Sequence, residues 1–285
     1  MQEKIGTLYV VATPIGNLQD ITLRAIEVLK VVDRMVAEDT RRTGLLLKHF
    51  SIHKPIISLH DFNERKQLKI IMNYLQQGES LALVSDAGTP LISDPGFLLV
   101  VAAKAAQIPI IPIPGACAAI VALSVSGLPA DKFIFEGFLP PKKNAREQRL
   151  MALKNETRTI IFYEAPHRIL EMLQSMLTVL GSARKASIAR ELTKIHERIY
   201  TNNLQDLLHY FSQHTSEQRG EFVVLIEGED LEKENKMLIG EEVLRILLAE
   251  LPLKQAVKLA SKITGERKNV LYNIALQKPA LPQPK

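Results

Sequence analysis

The amino-acid sequence predicts an α/β protein with two α/β domains followed by a small helical module at its C-terminal end. Strand-like apolar runs alternate with helical patterns over residues 1–113, which is typical of a parallel sheet covered by helices on both faces. The rhythm changes after a Pro-Gly turn at 114–115, and a highly charged stretch at 229–236 precedes further helical patterns. We therefore expect α/β domains at 1–113 and 114–230 and a helical module at 238–277.

The first domain is predicted from five short apolar runs bounded by turn residues, at 7–12, 34–37, 55–59, 80–85 and 108–113. Helices are expected between them, over 20–32, from 40, over 64–77 and from 95. The first helix places Ile21, Ala25, Val28 and Leu29 on one face, as in an amphipathic helix. The last is predicted to begin with Asp94 as its cap and Pro95 at its first position.

The second domain is predicted from strand patterns at 133–138, 157–163, 187–191, 195–201 and 221–227. A turn at Thr193 and Lys194 joins two of these strands, so we expect some antiparallel pairing there. The charged stretch at 229–236 is interpreted as a linker. Beyond it, helices are expected over 240–250, from Pro252 and over 268–276.

Composition places the chain among ordinary globular proteins, with 46% hydrophobic and 24% charged residues. A single cysteine, Cys117, excludes an intrachain disulfide framework and favours a cytoplasmic protein. The N-terminus does not have the pattern of a signal peptide. The uncharged stretch 105–130 contains four prolines, so we expect neither a membrane-spanning helix nor a membrane partner.

The positive charge of the chain is concentrated in two segments. Residues 131–200 and 236–285 each carry a net charge of +5, equal to that of the whole chain. Two basic regions favour a polyanionic partner, although charge that only keeps the surface soluble explains them as well.

Several common chemical motifs are absent from the sequence. It has no P-loop and no dinucleotide-binding G-x-G-x-x-G, which argues against those two classes of nucleotide site. His49 and His53 lie four residues apart, but only His60 is a nearby third histidine, so no metal site is expected. The loop at 85–96 follows the fourth strand, where ligands bind in sheets of this kind, and Gly88 would let backbone approach a ligand. A well-formed strand-to-helix turn is the alternative interpretation.

Six motifs in order resemble one known family. They are residues 13–18 (TPIGNL), 38–41 (EDTR), 85–90 (SDAGTP), 114–116 (PGA), 137–140 (GFLP) and 163–168 (YEAPHR). Together, over about residues 5–276, they resemble the ribosomal RNA small-subunit methyltransferase I family of the tetrapyrrole methylase superfamily. The porphyrin branch of that superfamily differs at the first and third of these loops, which argues against a porphyrin or corrinoid substrate.

The resemblance implies two α/β domains of tetrapyrrole-methylase type with S-adenosyl-L-methionine in the cleft between them. It implies 2′-O-methylation of a cytidine in the decoding region of 16S rRNA, with 16S rRNA or the small ribosomal subunit as partner. It also implies a C-terminal module that holds RNA, and a homodimer. The alternatives are a tetrapyrrole or corrinoid small-molecule methylase and a non-enzymatic RNA-binding protein.

Candidate site residues follow from this resemblance and from the turn positions. Cofactor contacts are expected from Ile15, Gly16, Gly88, Thr89, Pro90, Ser93, Gly115, Ala116, Ala118, Tyr163 and Ala165. A base or a positive charge near the accepting oxygen would assist transfer, and the catalytic candidates are Asp39, Arg41, Glu164, His167 and Lys194. Asp39 could instead cap a helix, His167 could be a surface residue, Lys194 could solvate a turn and Tyr163 could pack in the core. Phosphate contacts are expected from Lys142, Lys143, Arg146, Arg149, Lys254, Lys258, Lys262, Arg267, Lys268 and Asn269.

Overall fold

The first sheet of the protein is fully parallel and has five strands. The computed structural model describes residues 5–60 and 62–277. The strands are β1 (Leu8–Val11), β2 (Arg34–Ala37), β3 (Ile56–Ser58), β4 (Leu81–Val84) and β5 (Ile110–Ile113), in the order β3-β2-β4-β1-β5. Every neighbouring pair runs parallel. The parallel sheet predicted from the strand–helix alternation is therefore confirmed.

Four helices connect these strands: α1 (Leu23–Val31), α2 (Thr40–His49), α3 (Glu64–Gln76) and α4 (Phe97–Ala105). The side chain of Thr22 caps α1 by accepting from the backbone N–H of Ala25, and α1 buries Ala25, Val28 and Leu29. These three belong to the face that the sequence predicts. One apolar cluster packs α1 and α2 against the sheet and another packs α3 and α4, so helices cover both faces.

The start of α4 differs from the prediction. The helix begins at Phe97 after Gly96, whose φ of 119° is left-handed, and no side chain caps it. The chain turns sharply just before, since Leu91 and Ser93 have φ values of 73° and 70°. Asp94 therefore lies ahead of the helix rather than at its cap, and the predicted capping role is wrong.

The second sheet is mixed and follows α5 (Ala118–Val125). Its strands are β6 (Phe133–Phe138), β7 (Thr159–Glu164), β8 (Lys185–Arg190), β9 (Arg198–Asn203) and β10 (Phe222–Ile226), in the order β6-β7-β10-β8-β9. Only β6 and β7 pair in parallel among these strands, and the hairpin of β8 and β9 confirms the antiparallel pairing expected around Thr193. The helices α6 (Lys143–Ala152), α7 (Ile169–Leu180) and α8 (Leu204–Gln213) pack on one face of the sheet and α5 on the other.

The turn between β8 and β9 is longer than predicted. The second strand begins at Arg198 and not at Ile195, which is 93% exposed. Glu191 and Thr193 have φ values of 51° and 64°, and such left-handed residues prevent the chain from extending directly into a strand.

The helices at the C-terminal end form a compact unit with its own small core. They are α9 (Leu231–Glu250), α10 (Leu253–Thr264) and α11 (Lys268–Gln277), and the core contains Leu244, Ala256, Val257, Ala260 and Leu271. Because α9 begins at Leu231, the charged stretch interpreted as a linker is mostly helical. Glutamate and lysine are good helix formers, so charge alone did not indicate a linker here.

No helix in the described part of the chain combines the length and the apolarity that a membrane crossing requires. The predicted domain boundary between residues 113 and 114 falls between β5 and α5 and stays a prediction.

Candidate active site

A cleft of about 400 Å³ lies at the carboxyl end of β4, where loops of the first sheet face the second sheet. The first sheet contributes the loop after β1 and the loop at 86–94. The second sheet contributes the end of β7 and the start of β10. Seven of the residues expected to contact cofactor line this cleft: Ile15, Gly88, Thr89, Ser93, Ala118, Tyr163 and Ala165.

Gly88 joins the two loops of the first sheet. Its N–H donates to the carbonyl of Thr13 at 3.1 Å, and its own carbonyl accepts from the N–H of Thr13 at 2.8 Å. Its φ is 89°, and a Cβ there would lie 3.2 Å from Cγ2 of Ile15. The left-handed backbone favours glycine at this position, and any larger residue would crowd Ile15.

Four of the expected cofactor residues do not line the cleft: Gly16, Pro90, Gly115 and Ala116. The carbonyl of Ala116 accepts from the hydroxyl of Thr89 at 3.0 Å, which ties the loop after β4 to the start of α5. A Cβ at Gly115 would lie 2.8 Å from that of Ala12, so this glycine permits two backbone segments to meet. Pro90 is buried, and Gly16 lines a neighbouring cavity.

Glu164 presents an unpaired carboxylate oxygen at the cleft. Its side chain is fully buried, and Oε1 accepts from the N–H of Ala165 at 2.8 Å and lies 3.4 Å from Nε of Arg168. Its Oε2 has no partner among the described residues. Burial raises the pKa of Glu164, against the opposing effects of the Ala165 N–H and Arg168. Buried acceptors without a partner are uncommon in folded proteins, which sets this carboxyl apart from the other groups of the cleft wall.

Tyr163 both lines the cleft and packs in the core. Its hydroxyl oxygen accepts from the N–H of Ala119 at 3.3 Å, and its ring meets Phe135 and Phe138 edge-on with centroids 4.9 and 5.8 Å away. Burial raises the pKa of its phenol, so the hydroxyl stays neutral. The structure thus supports the interpretation that Tyr163 packs in the core. Because Tyr163 also lines the cleft, its side chain can contact a ligand there as well.

Asp94 is a cleft residue that the sequence interpretation missed. It lines the cleft, and burial raises its pKa to about 7, with further contributions from the charges of Glu38 and Asp86. The only indication in the sequence is the position of Asp94 in the loop after β4, and that position predicts a helix cap rather than a ligand contact.

The wall that the second sheet contributes was also missed. The strand residues missed there are Phe138, Ala189, Phe222 and Val223, and Cys117 before α5 and Leu192 after β8 lie beside them. Apolar residues on strands are explained by core packing, so no sequence pattern separates those that face a ligand.

A second cavity of about 350 Å³ adjoins the cleft. It is lined by the first loop and α2 together with Lys194, and both linings include Ile15, Asp86, Ala87 and Glu221. The ammonium of Lys194 lies 2.8 Å from Glu191 and 2.9 Å from Glu221. Burial lowers the pKa of Lys194, but the hydrogen bonds to these carboxylates outweigh it and the net pKa is raised. Lys194 therefore stays charged.

Three catalytic candidates line neither cavity. Asp39 caps α2 by accepting from the N–H of Arg41 at 2.8 Å, and the two side chains also pair at 2.8 Å. The hydrogen bonds from Arg41 lower the pKa of Asp39 to about 2. His167 is exposed in a short 3-10 helix at 166–168. Among the catalytic candidates, Glu164 lines the cleft and Lys194 lines the second cavity, whereas the other three line neither.

The expected phosphate-binding residues fall into two groups of different exposure. Lys142, Lys143 and Arg149 are exposed, and Arg149 pairs with Glu136 at 2.6 Å. Arg146 is 2% exposed, and its guanidinium donates to Ser175 and to the carbonyl of Pro141. Arg146 is therefore a structural residue in this fold and does not present its guanidinium to phosphate, which corrects that assignment.

The residues of the C-terminal helices that are expected to contact phosphate are exposed. Lys254, Lys258 and Lys262 are exposed on α10 at intervals of four residues, so they share one side of the helix. Arg267, Lys268 and Asn269 are exposed at the start of α11.

Comparisons with known proteins give the family. Residues 7–208 match the family described as Tetrapyrrole (Corrin/Porphyrin) Methylases, and residues 240–278 match the RsmI C-terminal HTH domain. The chain is 53% identical over 276 residues to ribosomal RNA small subunit methyltransferase I of Pseudomonas aeruginosa, covering 96% of this chain and 98% of that one. The chain belongs to this methyltransferase family. The protein of the same name from Escherichia coli O157:H7 is 49% identical over 272 residues, covering 95% of each chain.

Solved tetrapyrrole methylases share the fold at low sequence identity. The uroporphyrin-III C-methyl transferase of Thermus thermophilus, solved in complex with S-adenyl homocysteine, is 15% identical with a TM-score of 0.54. The match covers 78% of this chain and 97% of that one. The predicted fold of two α/β domains of tetrapyrrole-methylase type with C-terminal helices is thus confirmed. Among the described residues, no group of three or more His, Cys, Asp or Glu residues could hold a metal ion.

Proposed function

We propose that the protein transfers a methyl group from S-adenosyl-L-methionine to the 2′-oxygen of a cytidine in the decoding region of 16S rRNA. Family membership supports methyl transfer to ribosomal RNA. The observation that carries the assignment to this site is the cleft itself, in which a glycine loop and a buried unpaired carboxylate meet an apolar wall. The cytidine, its ribose oxygen and the decoding region rest on the family resemblance.

The residues present fit S-adenosyl-L-methionine. Gly88 leaves the space that a Cβ would occupy beside Ile15. The unpaired Oε2 of Glu164 can accept a hydrogen bond from a hydroxyl or amino group of the cofactor. Apolar residues such as Phe222 and Val223 can cover the adenosine, and Asp94 can face the positive sulfur. When bound, the cofactor supplies an already activated methyl group.

The chain's own residues then have to align and shield the reaction. Thr89 fixes the glycine loop on the start of α5, which holds one wall of the cleft in place. Arg168 donates to the carbonyl of Leu139 at 2.7 Å and also faces the carboxylate of Glu164. Arg168 therefore links the end of β7, which carries Glu164, to the segment after β6, which carries Leu139. Such alignment is the main requirement of an in-line displacement.

RNA is proposed to bind through exposed basic side chains. Lys254, Lys258 and Lys262 form one row on α10, and Lys142 and Lys143 lie at the start of α6. These side chains would contact phosphates and so hold the RNA without reading its sequence. A ribosomal substrate would place the enzyme in the cytoplasm, and we further propose a homodimer and a boundary between the two α/β domains at residues 113 and 114.

The test uses small ribosomal subunits from cells that lack the gene. Purified protein and S-adenosyl-L-methionine with a labelled methyl group should transfer label to 16S rRNA. Alkaline hydrolysis then locates it, because a methylated 2′-oxygen cannot attack the neighbouring phosphate and leaves an alkali-resistant dinucleotide. Label on a base would refute the ribose assignment, and absence of label in RNA would refute the function.

Two controls separate the alternative functions. A small-molecule methylase would bind S-adenosylhomocysteine and label a tetrapyrrole but not RNA. A non-enzymatic RNA-binding protein would bind subunits and show no calorimetric signal with S-adenosylhomocysteine.

A further inference from the structure

The second cavity has no assigned role and lies directly beside the cleft. We propose that it holds the acceptor nucleoside, turned out of its RNA strand, while the cleft holds the methyl donor. This inference rests on the proposed function and adds the place where the substrate enters. It depends on the shared wall, the chemistry of the lining and the rigidity of the surrounding loops.

The shared wall gives the two ligands a common meeting point. Ile15, Asp86, Ala87 and Glu221 line both cavities. Methyl transfer requires the accepting oxygen and the leaving sulfur on opposite sides of the carbon. Ligands in adjoining cavities can approach that arrangement across this wall, whereas two ligands stacked within one cleft would compete for its volume of about 400 Å³.

The charged groups of the lining offset one another. The cations Arg42 and Lys194 each face a carboxylate of the lining, at 3.7 Å from Asp86 and 2.9 Å from Glu221. Such a lining suits an uncharged nucleoside, because the carboxylates can accept hydrogen bonds from ribose hydroxyls and from the exocyclic amine of cytosine. The phosphates on either side of the nucleoside would then remain outside, near exposed side chains such as Arg41, which is 88% exposed.

Apolar side chains offer a surface for the base. Leu18, Leu45 and Leu46 line the cavity, and Leu45 is 70% exposed and Leu18 39% exposed. These leucines lie together at one cavity, and the face of a base is apolar, so a base could pack against them. Because the cavity is concave, a base within a duplex could not reach it, so the nucleotide has to leave its stack.

The walls of the cavity are held firmly. The N–H of Asn17 donates to the hydroxyl of Thr193 at 3.1 Å, which joins the first loop to the turn between β8 and β9. A Cβ at Gly16 would lie 2.6 Å from Cγ of Lys194. These contacts place Lys194 against the first loop and keep the cavity in shape before substrate binds.

The chemical step balances with groups at this wall. The ribose oxygen forms a bond to the methyl carbon, and the carbon–sulfur bond breaks with its electron pair remaining on sulfur. The hydroxyl proton passes to a carboxylate of the shared wall, from which water can take it. No oxidant, reductant or metal is needed.

The test places a charge at the rim of the second cavity only. Leu45→Glu changes an exposed residue that does not line the cleft. Leu23→Glu is the matched control, because Leu23 is 80% exposed on α1 and lines neither cavity. We expect Leu45→Glu to lower kcat/KM for small subunits by at least about tenfold while its affinity for S-adenosylhomocysteine stays within about twofold of wild type. The control should match wild type in both measurements.

Each outcome bears on the proposal separately from the proposed function. Equal activity of the Leu45→Glu and Leu23→Glu proteins on subunits would overturn the nucleoside site while leaving the proposed function intact. Loss of S-adenosylhomocysteine affinity in Leu45→Glu would also overturn it, since the two cavities would not act as separate sites. If the wild-type protein binds S-adenosylhomocysteine but labels no subunits, the proposed function is refuted, and the nucleoside site that rests on it falls as well.

Discussion

The carboxyl of Asp94 should make the affinity for S-adenosyl-L-methionine depend on pH. Its pKa of about 7 results mainly from burial, with added repulsion from Glu38 and Asp86. The carboxyl therefore ionises across the neutral range in the free protein. A cofactor with a fixed positive charge on sulfur should bind the ionised form more tightly, so affinity should rise as pH rises.

The expected size of the effect follows from the titration. Between pH 6 and pH 8 the ionised fraction of a group with a pKa near 7 grows from roughly one-tenth to roughly nine-tenths. An opposite charge within about 4–6 Å shifts a pKa by about one to three units, so the ionised form should bind at least about tenfold more tightly. Together these values give a rise in affinity of about five- to tenfold over that interval.

Calorimetric titrations at pH 6, 7 and 8 measure this effect. S-adenosylhomocysteine is the first control, because its sulfur is neutral while its other ionisable groups are the same. Asp94→Asn is the second control, because it keeps the shape and removes the ionisation. If the wild type and Asp94→Asn show the same pH dependence for S-adenosyl-L-methionine, Asp94 does not face the sulfur and our placement of it is wrong.

Four further predictions concern stability and binding. In the protein without ligand, the raised pKa of Asp94 should lower the free energy of unfolding as pH rises from about 4 through about 7. Asp94→Asn removes this ionisation, so calorimetry should show a larger rise in Tm at pH 8 than at pH 5. Gly88→Val should lower affinity for S-adenosylhomocysteine at least about tenfold, because its side chain would meet Ile15 at a backbone φ of 89°. Arg146→Ala should reduce the free energy of unfolding in urea by about 2–4 kcal/mol, since it leaves buried partners such as Ser175 unpaired, whereas Arg149→Ala should cost less than about 1 kcal/mol. Charge reversal of Lys254, Lys258 and Lys262 to Glu should weaken RNA binding in filter assays and flatten its salt dependence, with S-adenosylhomocysteine affinity unchanged.

Each of these has a result that contradicts it. A constant Tm difference between the Asp94 proteins at both pH values would mean that its burial does not disfavour ionisation. Normal cofactor affinity of Gly88→Val would remove the glycine loop from the site. Equal unfolding curves for the two arginine variants would contradict the structural role of Arg146, and unchanged RNA binding of the triple variant would place the RNA elsewhere.

Local patterns predicted the first sheet and the face of α1 correctly, because a buried strand and an amphipathic helix each repeat at a fixed spacing. The start of β9 was misplaced since the left-handed residues of the turn, Glu191 and Thr193, are not types that signal such a conformation. The charged stretch before α9 was misread because helix formers and linkers share a composition.

The candidate site was predicted where turns follow strands and missed where function depends on long-range contact. Gly88 and Ser93 lie in a loop that sequence can single out. The raised pKa of Asp94 depends mainly on burial that forms only in the folded protein, and further on the charge of Glu38, 56 positions away in the chain. Arg146 was assigned to RNA because a guanidinium looks the same in sequence whether it lies outside or against Ser175.

The loop after β4 holds four left-handed residues within nine positions: Gly88, Leu91, Ser93 and Gly96. Two of them, Leu91 and Ser93, have side chains that disfavour this conformation, so the segment is less stable than its length would suggest. The rest of the domain must supply the energy that keeps this loop folded. Leu91 contributes to that energy itself, because its side chain packs against the core cluster that contains Leu83 and Leu99.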